Sequence, residues 1–433
     1  MKSLPKLLKE YVFGFRVGWF LAVRQIRRSS KWTTALIIFI MVLTFLNLVV
    51  VSGLLLGLIS GSFEQFRESH SGEVIVTSAP GRDYIENSPG LVSFLESHSQ
   101  VKAFSPRYQT SGTILGTLTS LPRSNERPNQ MGAAIKGLDP EKEALVTNFA
   151  SSVTQGGMLD GDESGYMLIG ANLLKKYSSF ADANIPGLDL LADVDVGSRV
   201  RVTVTSKGGG TLIVKEFIVK GIVKSKVDEI STRVFVTGAD LKSLLSINKE
   251  HFQEIAIRTE PSYAEALVAD INGFMGPSAA RTQTSLDAIP QFLRDIESTM
   301  GVLGNALSSI ALVVASITIF IVIYINAVTK RKLIGIMKGV GISPAAVQFS
   351  YLIQAIFYGL SGSLVGLLLT FGVLEPYFKN NPIDFPFSDG ILVVTPAGAA
   401  IRVAILIFVT IIAGYLPAKL IVRKNTLDSI LGR

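Results

Sequence analysis

The chain has 433 residues, 48% hydrophobic and only 17% charged, with no cysteine and a formal net charge of +7. Without cysteine there are no disulfides, no thiolate metal sites and no cysteine catalysis. The positive charge is not spread as on a nucleic-acid face: residues 1–32 hold eight Lys/Arg against Glu10, whereas residues 61–300 hold 23 basic and 29 acidic residues. Basicity beside apolar runs is a topology signal, so membrane lipids are expected partners and nucleic acid is not.

Residues 1–32 alternate cations with Leu7, Leu8, Tyr11, Phe15, Trp19, Phe20 and Ile26, which predicts an amphipathic helix lying on the inner leaflet. Residues 33–60 form the first span: Thr33–Ile59 is uncharged and long enough, at about 1.5 Å per residue, to cross a core of about 30 Å. It reads as an uncleaved anchor, since a signal peptide has a shorter core and a small-residue cleavage site.

Residues 61–300 are expected to be an α/β extracytoplasmic domain. Val, Ile and Thr enrichment predicts strands at Glu73–Thr77, Arg199–Thr205, Thr211–Val223 and Arg233–Thr237, with a hairpin turn at Lys207–Gly210. Helices are predicted over Leu168–Tyr177, Gly238–Leu245 and Ser262–Phe274. Asn148–Gly165 and Ser178–Asp193 read as connections, and Thr119–Gln130 as an exposed loop. At the domain's end Leu286, Ile289, Leu293, Ile296, Met300 and Leu303 follow 3-4-3-4-3 spacing, a heptad seam. Ile59, Phe63, Phe66 and His70 continue the first span outward. Together they predict a two-helix stalk, with core packing at the domain's base as the other reading.

The second span covers 301–329, the third 345–374 and the fourth 396–415, separated by a basic segment at 330–344 and an acidic loop at 375–395. A basic tail, 416–433, closes the chain. The Lys/Arg asymmetry places both termini and 330–344 in the cytoplasm. The fold class expected is thus a membrane protein of four transmembrane helices, with a large α/β extracytoplasmic domain inserted between helices 1 and 2 on a helical stalk. Arg402 lies about 9 Å inside the fourth span and is expected to snorkel to the headgroups, the other reading being a buried functional arginine. Gly359, Gly362, Gly366 and Gly372 form a glycine row on the third span that predicts transmembrane packing, within or between molecules.

Catalytic signatures are missing. No G-x-x-x-x-G-K-[ST], G-x-S-x-G or H-E-x-x-H occurs, and His70, His98 and His251 are scattered. Carboxylate pairs such as Asp160/Asp162 and Asp228/Glu229 read as solvated. The four spans carry no Asp or Glu, which argues against an ion-coupled carrier. The chain reads as non-catalytic, with no metal or cofactor of its own.

Several separated stretches resemble one family. They are LAVRQIRRSSKWTTALIIF (21–39), KRKLIGIMKGVGIS (330–343) with LIQAIFYGLSGSLVG (352–366), and LPAKLIVRKNTLDSIL (416–431). AAIKGLDPEKEALV (133–146), and YMLIGANLLKKY through DVGSRVRVTV (166–204), add the outer domain. The set is similar to the FtsX/MacB/LolC-LolE type of ABC-transporter permease, and the layout together with Gln354 is nearest to its lipoprotein-releasing LolC/LolE-like members. Gly197-Ser198 and Asn425–Asp428 depart from the family's Gly-Asp and Asp-Pro.

The resemblance implies a homo- or heterodimer with a second permease that recruits cytoplasmic ABC ATPase subunits, ATP and Mg being held by the ATPase. It implies a mechanotransmission role, in which a hydrophobic cargo such as a lipoprotein, lipid, peptide or drug is extracted or exported, with a possible extracytoplasmic adaptor. The alternative is a signalling complex that activates a wall hydrolase or senses a peptide. The coupling element expected is 330–344. Lys330, Arg331 and Lys332 hold the inner headgroups, Gly335 and the Gly339/Gly341 pair break the helix, and Ser343 caps the third span. Leu333, Ile334, Ile336 and Met337 form an apolar face for an ATPase groove, with Lys338 facing an acidic rim.

Overall fold

The computed structural model describes residues 4–116, 129–178, 190–205, 212–247, 250–276, 278–385 and 388–422. In chain order the elements begin with helices α1 (Leu4–Arg28) and α2 (Lys31–Phe66), then strand β1 (Val74–Ser78), α3 (Ser88–Ser97), β2 (Ala103–Leu115), β3 (Gln130–Leu138) and α4 (Pro140–Val146). Next come β4 (Val153–Gly156), β5 (Tyr166–Gly170), β6 (Arg199–Thr205), β7 (Leu212–Val223), α5 (Asp228–Ser231), β8 (Arg233–Thr237), α6 (Gly238–Leu244), β9 (Glu254–Arg258), α7 (Ala264–Met275) and β10 (Ala280–Thr284). The rest is α8 (Gln291–Thr329), α9 (Arg331–Gly339), α10 (Pro344–Leu369), α11 (Glu375–Asn380), β11 (Ile383–Phe385), β12 (Ser388–Gly390) and α12 (Pro396–Val422). Two compact units result: a sheet unit of residues 60–294 with 385–388, and a helical unit of the remainder.

The sheet unit is built on a ten-stranded mixed sheet in the order β10-β1-β9-β2-β3-β8-β5-β7-β4, with β6 bridging β2 and β7. β3/β8 and β5/β7 are parallel and the other pairings antiparallel. Alternation along the strands supplies two cores. Met167 and Ile169 of β5, with Val234 and Val236 of β8, enter a cluster closed by Leu91 and Leu95 of α3 and Leu267 and Ile271 of α7. Leu168 and Phe235 enter a second cluster with Phe66, Phe149, Ile230 and Ile289.

The expected strands appear nearly residue for residue; the hairpin turn between β6 and β7 falls at 206–211, outside the described residues. Most of 119–130 and 178–193 also lies outside them. One expected helix is wrong. Leu168–Tyr177 begins inside β5 and continues as a 3-10 turn, Ala171–Leu173. Because both faces of β5 are buried, its apolar run lacks the period-2 signal and imitates a helix. Asn148–Gly165 is also not wholly a connection, since Val153–Gly156 pairs with β7 at the sheet edge.

Among the described residues four helices are long and apolar enough to cross a membrane, and they start at Lys31, Gln291, Pro344 and Pro396. The chain is a multi-pass membrane protein. The third of these helices buries Tyr351, Gln354, Tyr358, Gly359, Gly362 and Gly366. α1 packs lengthwise on α10: a Cβ on Gly18 would stand 2.7 Å from Phe349 Cβ, and Gln354 Nε2 donates to Gln25 Oε1 at 2.7 Å.

Candidate functional site

The segment between the second and third long helices is itself a helix. α9 starts after Lys330 and runs through Gly335 without interruption, so the expected break at Gly335 is not there. One glycine costs only about 1 kcal/mol in a helix, and Ile334 and Gly335 are buried together. The stop comes at Gly341, at φ +96°. Gly341 N–H donates to Lys338 O (3.1 Å) and Ile342 N–H to Met337 O (3.0 Å), the pair of bonds that closes a helix around a left-handed residue. Gly339 is helical and open on its Cβ side. Ser343 Oγ accepts from Ala346 N–H at 3.2 Å, capping α10 with Pro344 in its first turn.

The expected apolar face of α9 divides in two. Ile334 is 2% exposed and Met337 packs beside it in the helical unit's core. Leu333 (49%), Ile336 (54%) and Val340 (80%) are exposed and share the other side at i, i+3, i+7 spacing. Lys338 Nζ donates to Val422 O at 3.0 Å, tying α9 to the end of α12. Lys332 is exposed, while Lys330 and Arg331 are half-buried. What α9 presents is therefore a narrow apolar strip on a helix held from behind.

The glycine row packs within the chain. A Cβ on Gly359 would meet Thr410 of α12 at 3.3 Å, on Gly362 Met41 of α2 at 2.4 Å, and on Gly366 Phe45 at 2.3 Å; Gly372 meets nothing. A second glycine pair was missed. On α2, a Cβ at Gly57 would fall 1.8 Å from Ile391 O and one at Gly53 2.7 Å from Leu392 Cδ1. Val393 N–H donates to Gly53 O at 3.1 Å, so the extended segment before α12 is strapped to α2. Arg402 is half-buried, and its Nε donates to Leu48 O (3.2 Å) and Ser52 Oγ (3.0 Å) of α2, so this donor is spent on the bundle and not on headgroups.

Among the expected stalk residues, Phe66 and Ile289 are buried in one cluster of the sheet unit, with Phe63 and Leu293 packed on it. Leu286 is 61% exposed, and both it and Ile289 precede α8. Pro290 disfavours helix at the residue before it, so the heptad seam loses its first two positions. Ile296 and Met300 are half-buried on α8 in the helical unit.

Sequence reading also missed a buried charge network in the sheet unit. Arg107 of β2 donates to Glu143 of α4 through Nε (2.9 Å) and Nη2 (2.5 Å) and to Glu254 of β9 through Nη1 (2.5 Å). Lys136 Nζ of β3 reaches the same Glu254 oxygen at 2.6 Å, and Ser105 and Thr147 hydroxyls donate to Glu143. All four charged side chains are at most 7% exposed. Burial would raise both carboxyls, but Arg107 at Glu143, and Lys136 and Arg107 at Glu254, outweigh it and hold both below the usual range. Burial brings Lys136 down to about 7 against the pull of Glu254. Both carboxylates are bonded and all four side chains are buried, so the network is a structural clasp without substrate access. Among the described residues no His/Asp/Glu group is arranged to hold a metal ion.

Residues 305–426 match the FtsX-like permease C-terminal family. An uncharacterised ABC transporter permease of Methanocaldococcus jannaschii is 24% identical over 226 residues, 50% of this chain and 55% of the relative. The macrolide export ATP-binding/permease protein MacB 1 of Yersinia pestis bv. Antiqua is 24% identical over 206 residues, 46% of this chain and 30% of that protein. The chain thus spans about half the length of the first relative and under a third of the second. Among solved structures, the periplasmic region of MacB from Actinobacillus actinomycetemcomitans aligns with 52% of this chain and 94% of its own, at TM-score 0.33 and 13% identity. The extracellular domain of YknZ from Gram-positive bacteria aligns with 48% of this chain and 98% of its own, at TM-score 0.29 and 12% identity. Residues 305–426 thus carry an FtsX-like permease C-terminal region, and the chain is similar to ABC-transporter permeases, MacB among them.

Proposed function

We propose that this chain is the transmembrane subunit of an ABC transporter in which a separate cytoplasmic ATPase drives movement of the 61–300 domain. The cargo class is hydrophobic: a lipoprotein, lipid, peptide or drug, the last in keeping with relatives named for macrolide export. Both termini and α9 lie on the cytoplasmic side by their Lys/Arg excess, and the active assembly pairs two permeases. The observation that carries the reading is the strip of Leu333, Ile336 and Val340 on a helix fixed by Ile334, Met337 and the Lys338–Val422 bond. An exposed apolar strip with a rigid backing suits a helix-in-groove contact, and these 433 residues hold no P-loop of their own.

Leu333→Asp/Ile336→Asp is expected to remove the ATP hydrolysis that co-purifies with the tagged chain, while the protein still inserts and retains its thermal transition. Hydrolysis co-purifying undiminished with the double variant contradicts the proposal.

A further inference from the structure

We infer that α1 is a binding element for anionic phospholipid headgroups. At about 100° per residue, Gly14, Gly18, Ala22 and Gln25 fall on one arc, and this is the arc packed on α10. Phe15 (48% exposed) and Trp19 (56%) border that seam on one side. Arg16, Arg24, Arg27 and Arg28 occupy the remaining surface, all exposed, with Phe20 among them, and Lys31 and Trp32 (87% exposed) follow at the start of α2.

Charge decides the occupant. No Asp or Glu occurs between residues 11 and 63. Among the described residues none of these five cations has an ion-pair partner, although the outer domain pairs many of its own. Exposed aromatics beside unpaired cations, two residues from a membrane-spanning helix, suit the headgroup layer, where the rings sit at the acyl boundary and the cations meet phosphate. Seating α1 on α10 fixes the cations in place, so the lipid meets a preformed surface. An acidic face of the ATPase is the competing occupant. The inference rests on the cytoplasmic placement of the N-terminus proposed above.

The chain's two tryptophans, Trp19 and Trp32, both lie in this patch, so intrinsic fluorescence reports it without a label. The full chain is reconstituted into vesicles containing brominated phosphatidylglycerol or brominated phosphatidylcholine, and tryptophan quenching is titrated. Phosphatidylglycerol is expected to be favoured roughly three- to tenfold. That preference should fall toward parity in high salt and in the Arg16→Gln/Arg24→Gln/Arg27→Gln/Arg28→Gln variant, and persist when the same four become Lys. Equal quenching by both lipids, tryptophans shielded from both, or a preference that survives the Gln variant each overturn the inference. Because such vesicles carry the lipid in both leaflets, the readout does not depend on orientation, and failure here leaves the ATPase pairing standing.

Discussion

Arg107 donates to two glutamates that neither its own strand nor its sequence neighbours provide, so the clasp exists only once β2, β3, β9 and α4 are assembled. Removing one member leaves a buried charge without its counter-ion, so Glu143→Ala should lower the sheet unit's stability by about 3–5 kcal/mol. Glu143→Gln, which keeps acceptors for Ser105 and Thr147, should cost less. Thermal unfolding of the detergent-solubilised chain checks both, and an unchanged transition for Glu143→Ala would contradict the account. His70 sits beside this network, driven well below its usual value by burial and by Lys136 and Arg107. Its folded-state value is depressed, so below about pH 6.5 the unfolded chain binds a proton that the folded chain does not, and stability falls as pH drops. Glu143 and Glu254, also depressed, withdraw further stability as pH falls through their folded values. The unfolding midpoint should therefore decrease from pH 7 to pH 5, and His70→Gln should flatten the part just below pH 6.5. A midpoint that rises on acidification would refute this.

Glycine contacts illustrate what an element reveals before folding. Gly362 and Gly366 were legible because G-x-x-x-G on an apolar helix predicts a close partner, and α2 supplies it. Gly53 and Gly57 have the same spacing yet passed unnoticed, because their partner is the extended segment 391–394, which carries no helical pattern. Gly57→Val must displace the Ile391 carbonyl and should cost about 1–3 kcal/mol as an overpacked site, read as a lower thermal midpoint. An unaltered midpoint would mean that the strap is loose. α9 was legible in its amphipathic content but not in its geometry. Gly335 lies inside a continuous helix, and burial of Ile334 and Met337 against the chain's own core leaves Leu333, Ile336 and Val340 as the free face.

For the whole molecule, hydropathy and charge placed the four long helices, since an apolar run of that length has few alternatives. The sheet unit was only partly legible. Its strands β6, β7 and β8 carry strong β signals, but β2 holds Pro106 between Ser105 and Arg107, whose polarity serves the clasp, and β10 is Ala-Arg-Thr-Gln-Thr. Such strands are specified by their partners and not by their own pattern. The site was legible as a segment and illegible as a surface, because which side of α9 faces out depends on where α12 ends. The most direct test of ATPase coupling places a photo-crosslinking amino acid at Ile336, with Ile334 as the buried control. Irradiation in native membranes should join position 336, and not 334, to a P-loop ATPase. An adduct with lipid alone, or equal ATPase adducts at both positions, would contradict the account.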